Sequence, residues 1–204
     1  VFCSDPTSLV TFIIGKEEKS TKFIIHKEVV CFHSKVLDAA FNSNFIEGQT
    51  LEYYLDDTSP RAFKLFMQWL YSQKLVLFAL RHPIRKNAET MVGESRDLTM
   101  LWVLAGKLGM PSLQNAALVA IDDISIQHQR IANETFIYIE NNTAADSPLR
   151  RYTMAACASF SPEDFATVEI PHQILREFGV YMLKRERGLE KKIFNILDYF
   201  VKED

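Results

Sequence analysis

The chain of 204 residues offers few side chains whose types and spacing suit catalysis. Its five histidines, His26, His33, His82, His128 and His172, are scattered, and none stands in the H-E-x-x-H or C2H2 spacing that ligates zinc. Cys31, His33 and Ser34 lie near one another, as a nucleophile and base would. On one short helical turn they cannot point at each other, and no third group is placed to orient them. His26 ends an apolar run and reads as a buried, hydrogen-bonded structural histidine. The seven glycines form neither a P-loop nor G-x-G-x-x-G. Asp56-Asp57 and Asp122-Asp123 fall at element ends, where turn and solubility roles outnumber acid–base roles. These residues imply no enzyme, no metal and no cofactor.

Charge and thiols narrow the class further. The net charge is −3, whereas a nucleic-acid-binding domain carries a basic excess to neutralise phosphates. Arg81 to Lys86 has no aromatic residues interleaved, and Lys184 to Lys192 alternates with Glu186 and Glu190, so both read as solvated surface. Cys3, Cys31 and Cys157 are widely separated and odd in number, which gives no zinc pattern and no disulfide framework. A reducing compartment, cytoplasm or nucleus, is the expectation. The N-x-T triplets at Asn133 and Asn141 carry no meaning there. No apolar run approaches the ~18 residues of a membrane span, and the start is not a signal peptide. A chain beginning at Val1 reads as trimmed. Fifteen Phe and seven Tyr are more aromatic surface than a core need hide, so part of it is expected at an interface.

The elements that would position these residues follow from periodicity. Leu9 to Ile14 and Lys22 to His26 are apolar runs flanking a polar loop, the pattern of an antiparallel hairpin that is packed on both faces or lies against helices. Lys27 to Phe41 switches to helical spacing as two short helices broken near His33-Ser34, with Ser34 capping the second. Leu51 to Asp56 alternates as a strand. Ser59-Pro60 starts a helix whose Phe63, Phe66, Met67, Leu70 and Tyr71 share one face. Ser72 to Arg96 reads as a surface insertion of partly ordered loop. Helices return over Leu98 to Leu108, closed by Gly109, and from Pro111 to Ile124.

Beyond Ile124, Gln127 to Glu140 is ambiguous between helix and strand, and Asn141 to Pro148 is a loop. Ser161-Pro162 caps a short helix through Phe165, Pro171 leads a helix through Ile174, Leu175, Phe178 and Met182, and Leu189 leads another through Ile193 to Phe200. The order gives an α+β head followed by an all-α tail.

This ordered series resembles the BTB/POZ family. The residues that carry it are Phe23-Ile24-Ile25-His26-Lys27, His33-Ser34-Lys35-Val36, Ala39-Ala40-Phe41, Asn44-Phe45-Ile46-Glu47-Gly48, Ser59-Pro60-Arg61-Ala62-Phe63, Trp69-Leu70-Tyr71 and Leu104 to Leu113. No single piece is specific, but together they run over about 115 positions, and Ser72 to Arg96 departs as a longer link. The tail segment Asn142-Thr143 with Ser147-Pro148-Leu149-Arg150-Arg151 is similar to the region after the core in short fungal BTB proteins.

The resemblance implies a BTB/POZ fold over 9–124, a small sheet of a hairpin plus a strand capped by a helical cluster, and a helical extension over 125–204. It implies protein–protein binding as well. Cullin-binding members carry a hydrophobic-x-Glu signature after the second helix of the pair, and Phe45-Ile46-Glu47 occupies that place. Phe45 and Glu47 are therefore the candidate partner-binding residues, beside a flexible Gly48, with Phe45 as core and Glu47 as plain surface charge the alternative. Family dimers often use an extra N-terminal helix and strand, for which Val1 to Ser8 is too short, so either that element is trimmed away or this is a shorter, monomer-like BTB domain resembling the cullin adaptors. Two functions follow as expectations: an adaptor linking a substrate, held by the tail, to a cullin-type ubiquitin-ligase scaffold, or a self-associating module with another BTB chain in transcriptional or structural assembly. Neither involves nucleic acid or membrane.

Overall fold

The computed structural model describes residues 7–16, 19–81, 88–128, 132–159, 166, 169–190 and 194–203. They fall into two compact units, one of 1–76 with 100–117 and one of 77–99 with 118–204. The Ser161-to-Phe165 helix expected from the sequence lies outside the described residues.

The first unit is built on a three-stranded sheet. Strand β1 (Leu9–Ile14) runs antiparallel to β2 (Thr21–His26), with Thr11 opposite Ile24, and parallel to β3 (Glu52–Leu55), with Thr11 opposite Glu52. The order is β2-β1-β3, so β1 is central. Its Val10, Phe12 and Ile14 share the core face and are fully buried. The doubly packed hairpin expected from composition holds only for β1. Strand β2 is an edge, and Ile24, on the face away from the core, is 60% exposed. A parallel partner needs a long crossover rather than a tight turn, and here β2 and the three short helices at Lys27–His33, Lys35–Phe41 and Ile46–Thr50 supply it.

Helices α1 (Lys27–His33) and α2 (Lys35–Phe41) meet at Ser34. The buried Ser34 hydroxyl accepts from the Leu37 N–H at 3.1 Å and donates to the Leu108 carbonyl at 2.6 Å, so one side chain caps α2 and fastens it to a distant carbonyl. Helix α4 (Pro60–Ser72) starts as the sequence predicts, with the Ser59 hydroxyl accepting from the Ala62 N–H at 3.1 Å. Its buried stripe is rotated from the expected one: Ala62, Phe63, Phe66, Trp69 and Leu70 are inside, and Tyr71 is exposed. Tyr71 is instead drawn to the sheet edge, where its hydroxyl accepts from the His26 N–H at 3.2 Å and lies 2.9 Å from Nδ1. His26 is therefore hydrogen-bonded but exposed, not buried. The last residue of an edge strand holds its side chain at the sheet's border, where the Tyr71 ring meets it edge-on at 6.0 Å and leaves the rest of the imidazole to solvent.

An aromatic cluster fills the core of this unit. The Phe12 ring lies 5.1 Å from that of Phe63, 5.7 Å from Tyr53, 5.8 Å from Phe41 and 6.3 Å from Phe66. Tilted and edge-on pairs of this kind add about 0.5–1.5 kcal/mol each beyond the area they bury.

The second unit is helical. Part of the Ser72-to-Arg96 stretch expected as loop is helical: α5 (Phe78–Arg81) lies within it, and α6 (Ala88–Lys107) begins within it and runs on past Arg96. Met91, Ser95 and Leu98 are buried at helical spacing, and the serine in that stripe hides the period from a reading of apolar residues alone. Both carboxylate oxygens of Glu94 accept from the free amides of Phe78 and Ala79 at 2.8 Å, which satisfies the N-terminus of α5. Helix α7 (Pro111–His128) is followed by a 3-10 turn (Asn133–Thr135), α8 (Phe136–Asn142), α9 (Pro148–Cys157), α10 (His172–Glu186) and a 3-10 turn at Ile196–Tyr199. The ambiguous Phe136-to-Ile139 run is thus helical. Among the described residues, the helix expected from Leu189 through Phe200 appears as that last turn, where Asn195 takes an extended backbone and its side chain accepts from the Leu197 N–H at 3.1 Å.

Helix α9 holds a buried cation. Arg150, 5% exposed, donates Nε to Thr143 Oγ1 at 3.1 Å and Nη1 to Glu177 Oε1 at 2.6 Å, and its Nη2 donates to the Glu140 carbonyl. That network ties α8, α9 and α10 together. Nearby, Tyr152 donates to Asp122 at 3.1 Å and packs edge-on against Phe194 and Tyr199. Burial, then the Asp122 charge, holds the Tyr152 hydroxyl well above its ordinary pKa, so it stays a donor.

Candidate protein-interaction site

The corner after α2 is set by short-range hydrogen bonds. Asn42 ends α2, the Ser43 hydroxyl donates to the Ala40 carbonyl at 2.9 Å, and it accepts from the Phe45 N–H at 3.1 Å. Phe45 then takes an extended conformation and serves as the N-cap of α3 (Ile46–Thr50). Leu51 closes α3 in the left-handed region, φ 56°, a position usually filled by glycine. Its carbonyl accepts from the Thr11 N–H at 2.8 Å, so the end of α3 is bound directly to the central strand. Sequence periodicity places Leu51 in the strand; its left-handed backbone instead makes it the helix stop.

Gly48 has a different role from the flexible one expected. A Cβ there would stand 2.0 Å from the Ser43 carbonyl oxygen and 3.2 Å from that of Ala40. Only glycine lets α3 lie this close to the end of α2. The corner is rigid rather than loose.

This rigid turn holds large apolar groups in solvent. Phe45 is 73% exposed and Ile46 70% exposed, while Glu47 is half-buried. Phe45, Ile46 and Glu47 border a shallow open groove whose other wall is Ala39, Ala40 and Tyr53. The small alanines leave room beside the Phe45 ring. Burial, reinforced by the Glu47 charge, raises the Tyr53 hydroxyl above its ordinary pKa, which puts that carboxylate in electrical reach of the ring that forms the groove wall. Phe45 and Glu47, picked out through the family resemblance, therefore lie together on one groove. Ile46, Tyr53 and the alanine pair were not singled out; the two adjacent alanines on α2 were the available signal.

Among the described residues, the other histidines and cysteines do not gather into one cluster. His33 is stacked edge-on between Phe32 at 4.9 Å and Trp69 at 5.3 Å, and burial lowers its pKa. Neither Cys31, which is half-buried, nor Cys157, which is buried, is in a disulfide. Among the described residues no group of three or more His, Cys, Asp or Glu is gathered to hold a metal ion, and no helix is long and apolar enough to cross a membrane.

Comparison with known proteins fits the sheet-and-helix order of the first unit. The model of the BTB/POZ domain family matches residues 3–124, more than half of the chain. The chain belongs to the BTB/POZ family. It is also similar to BTB/POZ domain-containing protein 6-B of Danio rerio, at 33% identity over 70 residues, which is 34% of this chain and 14% of that protein. The matched segment thus spans a small part of that relative. A BTB/POZ domain is in general a protein–protein interaction module, and the α+β head with a helical C-terminal region accords with that assignment.

Proposed function

We propose that the protein is an adaptor whose BTB/POZ domain binds a cullin-type ubiquitin-ligase scaffold through Phe45 and Glu47, leaving the helical C-terminal region for a substrate. This reading places it in the cytoplasm or nucleus. The observation that carries it is the exposure of Phe45 and Ile46 on a turn held by Gly48 and the Ser43 hydrogen bonds. A rigid, solvent-exposed aromatic group gains area on binding with little loss of conformational freedom, which is how interface anchors work. Glu47 at its side supplies a charge that orients the partner rather than adding much affinity.

A pulldown with a cullin N-terminal domain tests this. The wild-type chain should be captured, and the Phe45→Ala/Glu47→Ala pair should lose about 2 kcal/mol or more, the range of an anchor residue. Both positions tolerate truncation without a core defect, since Phe45 is exposed and Glu47 lines an open groove. Failure of the wild-type chain to bind any cullin N-terminal domain would sink the proposal.

A further inference from the structure

The second unit encloses a small cavity of about 20 Å³. Six hydroxyl-bearing side chains line it: Ser95 and Thr99 of α6, Ser125 of α7, Thr135 of the first 3-10 turn, and Tyr152 and Thr153 of α9. All of them except Ser125 are at most 4% exposed. The rest of the wall is apolar. A core position kept for packing alone is filled by an aliphatic side chain, because a buried hydroxyl costs free energy unless it is hydrogen-bonded.

The protons of these hydroxyls are already committed. Thr99 donates to the Ser95 carbonyl at 2.8 Å, Thr135 to that of Ala132 at 2.7 Å and Thr153 to that of Leu149 at 2.9 Å. Tyr152 donates to Asp122, and Ser125 donates to Tyr152. Ser95 has a soft partner, the Met91 sulfur at 3.8 Å, so its proton is weakly held. A hydroxyl carries one proton and two lone pairs. The threonines therefore have lone pairs left to offer, and Ser95 can turn its proton inward.

That inventory selects the occupant. It must donate at least two hydrogen bonds, accept one, and take up no more room than a single water, which needs about 10–15 Å³. A small cation fits the volume but not the chemistry. No carboxylate lines the cavity, and neutral hydroxyls do not offset the loss of a charge's hydration. We propose that the cavity binds one water molecule, which accepts from Ser95 on α6, donates to Thr153 on α9, and donates its other proton to a second threonine of the wall. The water makes the polar stripe of α6 useful, since it ties Ser95 to a helix more than fifty positions further along the chain. This site involves none of the residues of the Phe45 corner and stands whether or not that corner meets a cullin.

The test starts with a crystal structure of the full wild-type chain. It should show a density peak in the cavity within about 3.2 Å of the Ser95 and Thr153 hydroxyl oxygens. In solution, oxygen-17 magnetic relaxation dispersion counts the waters held far longer than those on the surface. Wild type should hold one more such water than Ser95→Ala/Thr153→Val, in which both partners are gone and valine keeps the shape of threonine. In urea denaturation followed by circular dichroism, either single substitution leaves the water short of a partner. The double substitution should then lower the midpoint by less than the sum of the two single shifts. An empty cavity in the wild-type map would overturn the proposal even if the double variant does not fold. Equal water counts, or strictly additive midpoint shifts, would overturn it as well. So would a wild-type midpoint raised by ammonium chloride over sodium chloride and unchanged in the double variant, because the occupant would then be a cation.

Discussion

Two glycines in helices of this chain should respond in opposite directions to the same substitution. Gly48, in α3, has the Ser43 carbonyl oxygen 2.0 Å from where a Cβ would sit, and both nearest groups are backbone. Contacts of real Cβ atoms essentially stop at 3.0 Å, so Gly48→Ala forces α3 and the Ser43 turn apart by about 1 Å. Overpacking of this kind costs about 1–3 kcal/mol, only partly offset by the ~1 kcal/mol that alanine gains over glycine in a helix. Ser43 cannot swing aside cheaply, since its hydroxyl ties Ala40 to Phe45. Gly179, in α10, meets nothing within 4 Å. There Gly179→Ala should give nearly the full propensity gain, about 1 kcal/mol. Urea denaturation followed by circular dichroism should show a lower midpoint for Gly48→Ala and a higher one for Gly179→Ala. Equal shifts, or a Gly48→Ala chain as stable as wild type, would refute the claim that α3 is held by a close backbone contact.

Two further outcomes follow from buried groups. Arg150→Met should destabilise the chain by about 3–5 kcal/mol in denaturant titration, because Glu177 is left mostly buried without its cation, whereas Arg150→Met with Glu177→Leu should recover most of the loss. Burial pushes the Cys157 thiol from 9.0 up to about 12, so the folded state prefers the protonated form. Stability from this group is complete below pH 9 and falls as pH rises toward 12; Cys157→Ala should flatten that alkaline limb, and a native chain whose Cys157 reacts with a thiol reagent at neutral pH as fast as the unfolded chain contradicts the burial.

What the sequence made legible was local. Ser34 and Ser59 announce their helices because a serine hydroxyl meeting a free amide is a short-range event, and both caps form as read. The strands announce themselves through β-branched and aromatic runs. The parallel pairing of β1 with β3 has no local signature, since its partners are some forty positions apart. Rotation of the α4 stripe escaped for a related reason: Trp69 and Tyr71 are both amphipathic, and only the surroundings decide that the indole goes in and the phenol reaches His26. The start of α6 within Ser72 to Arg96 was hidden because its buried stripe includes Ser95 and continues through Asp97 and Thr99, polar residues that an apolar count discards. At the candidate site the family resemblance singled out Phe45 and Glu47. It did not reveal that Gly48 fixes them, because a close backbone approach leaves no trace in residue type beyond the glycine itself.

The second unit joins residues 77–99 with residues 118–204, and the first joins 1–76 with 100–117. During synthesis the chain therefore cannot finish one unit before starting the other. Leu77, Ala79 and Met91 leave the ribosome well before the α8 to α10 segments that share their unit, and they remain without those neighbours in the interval. A chain stopped at Ile124, where the family match ends, would keep that first strip of apolar surface and lose most of what belongs with it. The nascent BTB/POZ head should therefore need a chaperone, or its own C-terminal region, to stay soluble.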